Sequence, residues 1–500
     1  MEAIWNELTL ERVAAKTVAQ ALMENEIPLP AGREAQRVLH VEGTAQNQSA
    51  RCAKGRVEAE GTVDLQILCL PPEGGAPFGM RTAAGYRHDI PMEGVEEGMR
   101  ATVTPQLQEI QCRLENGRLR LSGVVELSAV VQQSDRMRVL SGVNGAQNLQ
   151  TLRKELHVER EIPLGMTTMR LREEIPAADA DTVLLQSGAA QVRGMEMAQE
   201  GMSVEGTLSV TVLCAAPQGQ MNQIVQHISF EELVPVQGDR ALYDIEDLQA
   251  DIRVRDITVT PAGEESGALD VEAVLDIYAY GREQEQVSAL ADAYSPAGDF
   301  TCVQQQVERM RSLGRVRKKC SFRESVAIPE DMPEAYRSVY AAARPVVIGV
   351  SDAEGRLGVD GVLFASIIFQ TDEGEIFGFE EEVPFQCVLD APFQEDAAAT
   401  ARALHAQVSG SGRMLDVTFT LEVEANLQTL EQDQIAVDAT ACEPARQPQG
   451  ILIYLANEGE TFWDVGKRFG LTVDQVKDWN PGMQEPLQEG QQMVLLSAGR

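Results

Sequence analysis

Three stretches of this chain share one pattern of alternating apolar and polar residues, and this recurrence limits the possible folds more than any other feature. The stretches are Val57 to Cys69, Met202 to Cys214 and Leu357 to Phe369. Each has a glycine in its apolar row, and these glycines, at positions 61, 206 and 361, are 145 and 155 residues apart. Alternation with a period of two is typical of a β-strand with one buried face. The chain therefore uses one kind of strand in three places.

Two further landmarks recur at nearly the same spacing. An Ile-Pro dipeptide precedes each stretch, beginning at Ile27, Ile175 and Ile328. A second alternating strand follows each stretch, beginning at Leu119, Leu269 and Leu415. Landmarks in the same order indicate an internal triplication, and the period is too long for a solenoid repeat. We therefore predict three domains, over residues 1–145, 146–297 and 298–442.

These domains should consist mainly of antiparallel β-sheet, because strands with one apolar and one polar face pack on one side and meet water on the other. Two sheets in each copy would give a β-sandwich, and closure would give a barrel. The pattern leaves both open. The recurring glycine predicts a bulge or a close backbone approach rather than a ligand contact. Two segments, Glu11 to Met23 and Asp299 to Arg311, are candidate helices.

Composition excludes some classes of function. The 500 residues carry a formal net charge of −35, so the clustered Lys and Arg that nucleic-acid binding needs are missing. The N-terminus has neither the positive start nor the apolar core of a secretory signal, and we expect a cytoplasmic protein. The longest apolar run, Val362 to Phe369, is too short to cross a bilayer, so no transmembrane segment is predicted.

Residues that could carry chemistry are scattered. The eight cysteines form no Cys-x-x-Cys pair and have no histidine at a metal-ligand spacing, so we expect free, partly buried thiols and no metal site. The chain has no phosphate-binding loop, no His-Glu-x-x-His and no Gly-x-Ser-x-Gly, and its five histidines are far apart in sequence. We therefore predict no catalytic residue, no cofactor and a protein that is not an enzyme.

The last fifty residues follow a different pattern. A short strand, Ile451 to Ala456, leads to a helix with a capping box at Thr461 and Asp464 and a glycine stop at Gly470. A second capping box, a second helix, an Asn-Pro-Gly turn and a closing strand follow. Residues 443–450 contain two prolines and a glycine and read as a linker. We predict a small module of strand, helix, helix and strand over residues 451–497.

This module resembles a LysM domain, from which it departs at Glu460, Phe462 and Gly466, where the family has aspartate, leucine and alanine. The resemblance implies a groove that binds N-acetylglucosamine polymers, between the loop before the first helix and the loop after the second. The implied groove residues are Gly459, Glu460, Thr461, Phe462, Asn480, Pro481, Gly482 and Met483. Tyr454 and Trp463 could stack on a sugar ring, but we favour packing in the module's own core.

Repeated β domains before a LysM module make the whole chain resemble the SPOCS-type proteins of spore coat and cortex assembly, similar to the clostridial SipL-type coat morphogenetic proteins. The resemblance implies a non-enzymatic scaffold in the mother-cell cytoplasm, at the forespore surface. It also implies a partner, the ATPase that forms the basement layer of the coat. Because peptidoglycan is absent from the cytosol, we expect the module to dock on this protein.

Two other functions stay open at this point. The first is a cell-wall anchor, in which the module binds peptidoglycan and holds the β domains at the wall. The second is a hydrolase whose catalytic groups lie in the repeats, which the missing motifs disfavour. The module also carries more acidic than basic residues, which favours a basic protein surface over an anionic wall.

Overall fold

The computed structural model describes nine stretches of the chain. They are residues 2–72, 76–145, 148–178, 180–198, 200–236, 245–263, 267–296, 300–441 and 450–496. Of the predicted linker at residues 443–450, residues 443–449 therefore lie outside the described residues.

The described residues form twenty strands and two helices. The first group of strands, which we call repeat 1, is β1 (Glu2–Pro28), β2 (Arg37–Ala53), β3 (Arg56–Leu70), β4 (Phe78–Pro91), β5 (Arg100–Glu115) and β6 (Arg118–Asn144). Repeat 2 is β7 (Gln150–Pro176), β8 (Thr182–Ala198), β9 (Gly201–Ala215), β10 (Met221–Pro235), β11 (Ile245–Pro261) and β12 (Ala268–Tyr294). Repeat 3 is β13 (Phe300–Ala327), β14 (Arg337–Ala353), β15 (Arg356–Gln370), β16 (Ile376–Pro392), β17 (Ala398–Ser409) and β18 (Met414–Ala441). The terminal module is β19 (Ile451–Leu455), α1 (Phe462–Phe469), α2 (Val473–Trp479) and β20 (Gln492–Leu496).

Each repeat is a sandwich of two layers of three antiparallel strands, and the pair Tyr294 and Thr301 joins one layer of repeat 2 to one layer of repeat 3 in a six-stranded sheet. In repeat 1 the sheet β2-β3-β4 packs on β1-β6-β5, and repeats 2 and 3 use their strands in the same order. Alternate residues of both sheets point inward, so one apolar core fills each repeat. Strand β2 also runs beside β5, which nearly closes the sandwich along that side. The predicted fold class, three β-sandwich-like domains and a small βααβ module, is confirmed.

The recurring glycine lies opposite an aromatic ring of the next strand. The directly paired residues are Gly61 with Tyr86, Gly206 with Phe230 and Gly361 with Phe385. A Cβ atom added at any of these glycines would lie 2.3 or 2.4 Å from an atom of that ring. The ring thus covers the glycine and fills the core above it. The prediction of a close approach is confirmed, although the approaching group is a side chain as well as a backbone.

Both candidate helices are wrong. Residues 11–23 belong to β1, and the described part of residues 299–311 belongs to β13. Each of these long strands pairs along its whole length with a strand about 90 to 140 residues away in the chain, β6 or β18. This pairing satisfies the backbone groups on the side of the strand that faces its partner, and a local apolar pattern cannot reveal it.

The three repeats meet in two places, and equivalent residues of all three contribute to each. The junction cluster joins the sheets β2-β3-β4, β8-β9-β10 and β14-β15-β16. It contains Leu68, Leu213 and Ile368, each at most 1% exposed. The stalk is formed by the far halves of the six long strands β1, β6, β7, β12, β13 and β18, and its interior contains Val139, Val287 and Ile435. The repeats are therefore parts of one body that share two apolar interiors.

Two cysteines differ from the expectation of free thiols. Cys320 of β13 and Cys387 of β16 form a disulfide between the two sheets of repeat 3, with Cα atoms 6.4 Å apart. Sixty-seven residues separate them in sequence, so only the packing of the two sheets brings them together. Among the described residues the remaining cysteines are free, as predicted: Cys52, Cys69, Cys112, Cys214 and Cys302.

Candidate functional site

The two helices of the terminal module begin as the sequence predicts. Thr461 caps α1, its hydroxyl accepting from the backbone of Asp464 while the Asp464 carboxylate accepts from the backbone of Thr461. Thr472 and Gln475 form the same reciprocal pair at the start of α2. Gly470 ends α1 in the left-handed conformation, with φ at 65°. These caps satisfy donors that a helix start leaves open, and they hold the loops on either side of the groove in place.

Asn480 lies inside the module and is only 5% exposed. Its amide nitrogen donates to the carbonyls of Val476 and Val494 at 2.8 and 2.9 Å, and its amide oxygen accepts from the backbone of Val494. The two bonds with Val494 tie the end of α2 to β20, and the bond to Val476 closes the last turn of α2. The side chain thus fixes the turn that carries Pro481 and Gly482, which are both exposed.

Glu460 turns its carboxylate back into its own loop. It accepts from the Tyr454 hydroxyl at 2.7 Å and from the Asn457 backbone at 2.9 Å, and it pairs with Arg468 at 2.7 Å. Burial opposes its ionisation, but the hydrogen bonds from Asn457 and Tyr454 outweigh that and keep the pKa of Glu460 below its usual value. This carboxylate is therefore charged and already paired within the module.

A second carboxylate bridges the two sides of the groove. Glu485 follows the turn after α2, and its Oε1 atom accepts from the backbone nitrogen of Phe462 at the first residue of α1. The negative charge lies where the helix dipole favours an anion. In the sequence Glu485 is one of several acidic residues of the module, and nothing local shows that it reaches a residue 23 positions earlier.

The structure brings the two predicted groove loops together. The backbone of Gly459 donates to Leu487, and that of Leu487 donates to Glu460 at 2.8 Å, so the first loop is fastened to the chain segment after α2. Gly459 is exposed, and Thr461 and Met483 are half-buried. Phe462 is buried in the module's own core. A groove between these loops would thus offer backbone groups, Met483 and carboxylates, whereas the Asn480 and Phe462 side chains support it from below.

Comparison with protein families identifies both parts of the chain. Residues 34–115 match the family model described as SipL, SPOCS domain, and residues 454–495 match the LysM domain model. The chain contains a SPOCS domain and a LysM domain. These two domains indicate a sporulation-related protein with a peptidoglycan-binding type of module. Both domains are of non-catalytic types that bind or act as scaffolds. No curated protein and no solved structure matches the chain significantly.

The opposite face of the LysM module rests on repeat 2. Trp463 Nε1 donates to Asp292 Oδ2 at 3.0 Å, and Lys467 Nζ lies 2.6 Å from the same oxygen. The Tyr294 hydroxyl donates to the Leu471 carbonyl at 2.8 Å, and the rings of Tyr294 and Trp463 meet edge to face, 4.9 Å apart. We call Asp292 and Tyr294, at the end of β12, the seat of the module.

Trp463 therefore has a different role from either of those considered in the sequence. It does not belong to the core of the LysM module, so the expectation of core packing is wrong for this residue. Tyr454 does pack against that core, as expected. Nothing in the local sequence indicates this contact of Trp463, because its partners, Asp292 and Tyr294, lie about 170 residues earlier in the chain.

A second concave region lies where the three repeats meet, above the junction cluster. This cavity of about 1060 Å³ is lined by residues of each repeat, among them His40, Arg253 and Arg344. The His40 side chain is 3% exposed, and its Nε2 atom lies 3.5 Å from Glu42. Most charged groups of the lining are already paired, for example Arg81 with Asp256 at 2.9 Å.

Two histidines of different repeats lie close together. The rings of His227 and His405 are 5.2 Å apart, and the Ser209 hydroxyl lies 3.0 Å from His227 Nδ1. Burial and the nearby Lys319 lower the pKa of His227, so its ring is neutral at pH 7. Ser209 is 2% exposed, which keeps a substrate away from its hydroxyl. Within the described part of the chain no group of three or more potential ligands could hold a metal ion.

No helix of the described residues is long and apolar enough to cross a membrane, since α1 and α2 have eight and seven residues.

Proposed function

We propose that this chain is a non-enzymatic scaffold of endospore coat and cortex assembly, and that its LysM module docks on a basement-layer protein of the coat, the ATPase implied by the SPOCS resemblance. In this proposal the three SPOCS-like β domains span residues 1–145, 146–297 and 298–442, and the protein works in the mother-cell cytoplasm at the forespore surface. The match of residues 34–115 to the SPOCS domain supports a role in sporulation.

One contact supports a protein ligand over a glycan. A groove that binds an acetamido sugar needs free backbone donors, yet the first donor of α1 is taken by the Glu485 carboxylate. That carboxylate adds negative charge to a groove in which Glu460 is also ionised. A lysine or arginine of a partner protein would pair with this charge, whereas an anionic wall polymer would be repelled.

The alternative is a cell-wall anchor that binds N-acetylglucosamine polymers through the same loops. The match of residues 454–495 to the LysM domain favours it. The proposed groove residues are the same in both cases: Gly459, Glu460, Thr461, Phe462, Asn480, Pro481, Gly482 and Met483.

Replacing one carboxylate separates the two functions. Glu485→Gln keeps the shape of the side chain and removes its charge, so we expect binding to the purified basement-layer ATPase to fall about tenfold, in line with the loss of one charge-assisted contact. Retention on insoluble peptidoglycan should rise or stay absent. Glu489→Gln is the matched control, because Glu489 is exposed on the same segment.

Deleting residues 451–500 tests the proposal as a whole. We expect the shortened protein to keep its β domains and to lose both ATPase binding and recruitment to the forespore. Tight retention of the full chain on peptidoglycan that salt does not weaken, combined with normal recruitment after the deletion, would support the wall anchor instead.

A further inference from the structure

The Asp292 and Tyr294 side chains of the seat find most of their partners in the LysM module, and within repeat 2 Asp292 also accepts from the backbone nitrogen of Ala293 at 2.9 Å. Asp292 is 5% exposed and Tyr294 is 4% exposed, and burial raises the pKa of the Tyr294 hydroxyl well above its usual value. A buried carboxylate and a buried hydroxyl are costly unless they are paired. Trp463, Lys467 and the Leu471 carbonyl provide these pairs. The end of β12 and the surface of α1 therefore match in charge and in hydrogen bonding.

A further bond extends the contact beyond α1. The backbone nitrogen of Val473, at the start of α2, donates to the side chain of Gln150 at 3.2 Å. Gln150 begins β7, which pairs with β12 at the same end of the stalk. The module thus rests on two neighbouring strands of repeat 2 and contacts them through both of its helices.

Gly466 allows the module to approach this closely. A Cβ atom at position 466 would lie 2.4 Å from the Tyr294 hydroxyl oxygen. That oxygen cannot move away without losing its bond to Leu471 and the contact of its ring with Trp463. Glycine within a helix costs about 1 kcal/mol relative to alanine. A Cβ atom there would also lie 3.0 Å from the Leu471 carbonyl oxygen of the module itself, but its nearest contact would be the Tyr294 oxygen of repeat 2. Glycine at position 466 therefore suits the docked module best.

The docked module leaves its groove open to solvent. Gly459, Pro481 and Gly482 are exposed, and none of them contacts the seat. Helix α1 connects the two surfaces, since its first residue, Phe462, borders the groove and its fifth and sixth residues, Gly466 and Lys467, lie on repeat 2. An eight-residue helix is rigid over this distance, so the seat fixes the direction in which the groove points.

We propose that repeat 2 holds the LysM module in one fixed orientation, with Asp292, Tyr294 and Gly466 as positioning residues, and that this orientation is what the groove's ligand recognises together with the β body. The inference deepens the proposed function, because it assumes that the groove binds. The implied ligand is a large one, a protein that spans the groove and the neighbouring stalk surface. A short glycan would contact the groove alone, so a fixed orientation of the module would not raise its affinity.

Hydrogen exchange measured by mass spectrometry on the full chain tests the docking itself. We expect Gly466→Ala to speed exchange at least tenfold in the end of β12 and in residues 463–473, because the new methyl group forces the module off its seat. Exchange in β19 and β20 should not change. Asp478→Ala, an exposed change in α2, is the control and should alter neither region.

Two further variants distinguish release of the module from misfolding of the module. Asp292→Ala lies on the body, cannot disturb the fold of the module and should give the same local loss of protection. Gly466→Ala combined with Tyr294→Phe removes the oxygen that the methyl group meets and should restore part of the protection. Unchanged exchange in both Gly466→Ala and Asp292→Ala would overturn the proposal.

A binding measurement tests the consequence. Binding of the full chain to the basement-layer ATPase should fall at least tenfold in Gly466→Ala, and it should also be lost in the protein without the module. If Gly466→Ala releases the module but leaves ATPase binding unchanged, orientation is irrelevant and the proposal fails while the proposed function stands. If deletion of the module also leaves ATPase binding unchanged, the proposed function fails, and the exchange results still decide whether the module is docked.

Discussion

The three repeats and the LysM module obtain their stability in different ways. The repeats share two apolar interiors, and Tyr340 of repeat 3, for example, is buried against residues of the other two repeats. The LysM module has its own small core around Val465 and Val476 and meets the body mainly through polar contacts. Damage to a repeat should therefore spread through the body, whereas damage to the module should stay local.

The repeats also differ from one another where they meet. Positions 40, 185 and 340 are equivalent by the spacing of the recurring strands, and they carry histidine, leucine and tyrosine. The rings of His40 and Tyr340 meet at 5.6 Å inside the junction. At this position the three repeats therefore differ, whereas the equivalent junction residues Leu68, Leu213 and Ile368 are all aliphatic.

A buried charge in a repeat should give the largest effect. Leu65 is 1% exposed, and Leu65→Asp would place an unpaired carboxylate in the core of repeat 1, at a cost of about 4 kcal/mol or more. Val210 and Ala365 are the equivalent positions in repeats 2 and 3, and both are fully buried. Urea denaturation followed by circular dichroism should show the loss.

The control for this prediction is the same substitution on the surface. Leu22→Asp changes a side chain that is 78% exposed and should leave stability almost unchanged. If Leu65→Asp melts repeat 1 alone while repeats 2 and 3 keep their transition, the shared interiors do not couple the repeats.

Removing Asn480 should give a smaller effect that is confined to the module. Asn480→Ala breaks three buried hydrogen bonds, and we expect a loss of about 3 kcal/mol from the module. A separate early transition should appear in a thermal scan, while the β body unfolds at its usual temperature. Gln492→Ala, at an exposed position of β20, should not produce that transition.

Replacing a core glycine by alanine should destabilise the protein by a smaller amount than the loss of the Asn480 side chain. In Gly206→Ala the new methyl carbon would lie 2.3 Å from the Phe230 ring, and overpacking of this kind costs about 2 kcal/mol. Gly349→Ala is the matched control, because no atom lies within 4 Å of a Cβ added there. Equal midpoints for the two variants in urea would contradict the role given to the glycine and its ring.

Lowering the pH should destabilise the stalk gradually, by less than the substitution of Gly206. Burial raises the pKa of Asp433, but hydrogen bonds from Lys154 and Arg309 outweigh this effect and leave its pKa below the usual value. The carboxylate therefore stabilises the fold above the unfolded pKa of about 4, and this contribution disappears as pH falls through the lower folded pKa. We expect melting temperatures measured from pH 5 down to pH 2 to fall less steeply in Asp433→Asn than in the original protein.

Asp438→Asn changes an exposed residue of the same strand and should keep the original pH slope. Equal slopes in all three proteins would mean that Asp433 is not ionised and paired inside the stalk.

Much of the LysM module could be predicted from sequence, because its signals are local. The Thr461 and Asp464 pair lies within one helical turn, and the structure forms the predicted capping box. The contact of Glu485 with Phe462 could not be predicted, since it spans 23 residues and depends on the path of the loop after α2. The same holds for Asn480, whose exposed neighbours gave no sign that its side chain points inward.

The sequence by itself determined the repeated strands, the antiparallel β class and the order of elements in the module, because alternation and capping act between residues that are close in the chain. The tertiary structure alone decided that β1 and β13 are strands, that Cys320 meets Cys387 and that Trp463 rests on Asp292 and Tyr294. Each of these depends on a contact between distant segments. Such contacts are selected by how whole surfaces pack, and a periodic pattern specifies which face of a strand is apolar but not which surface it meets.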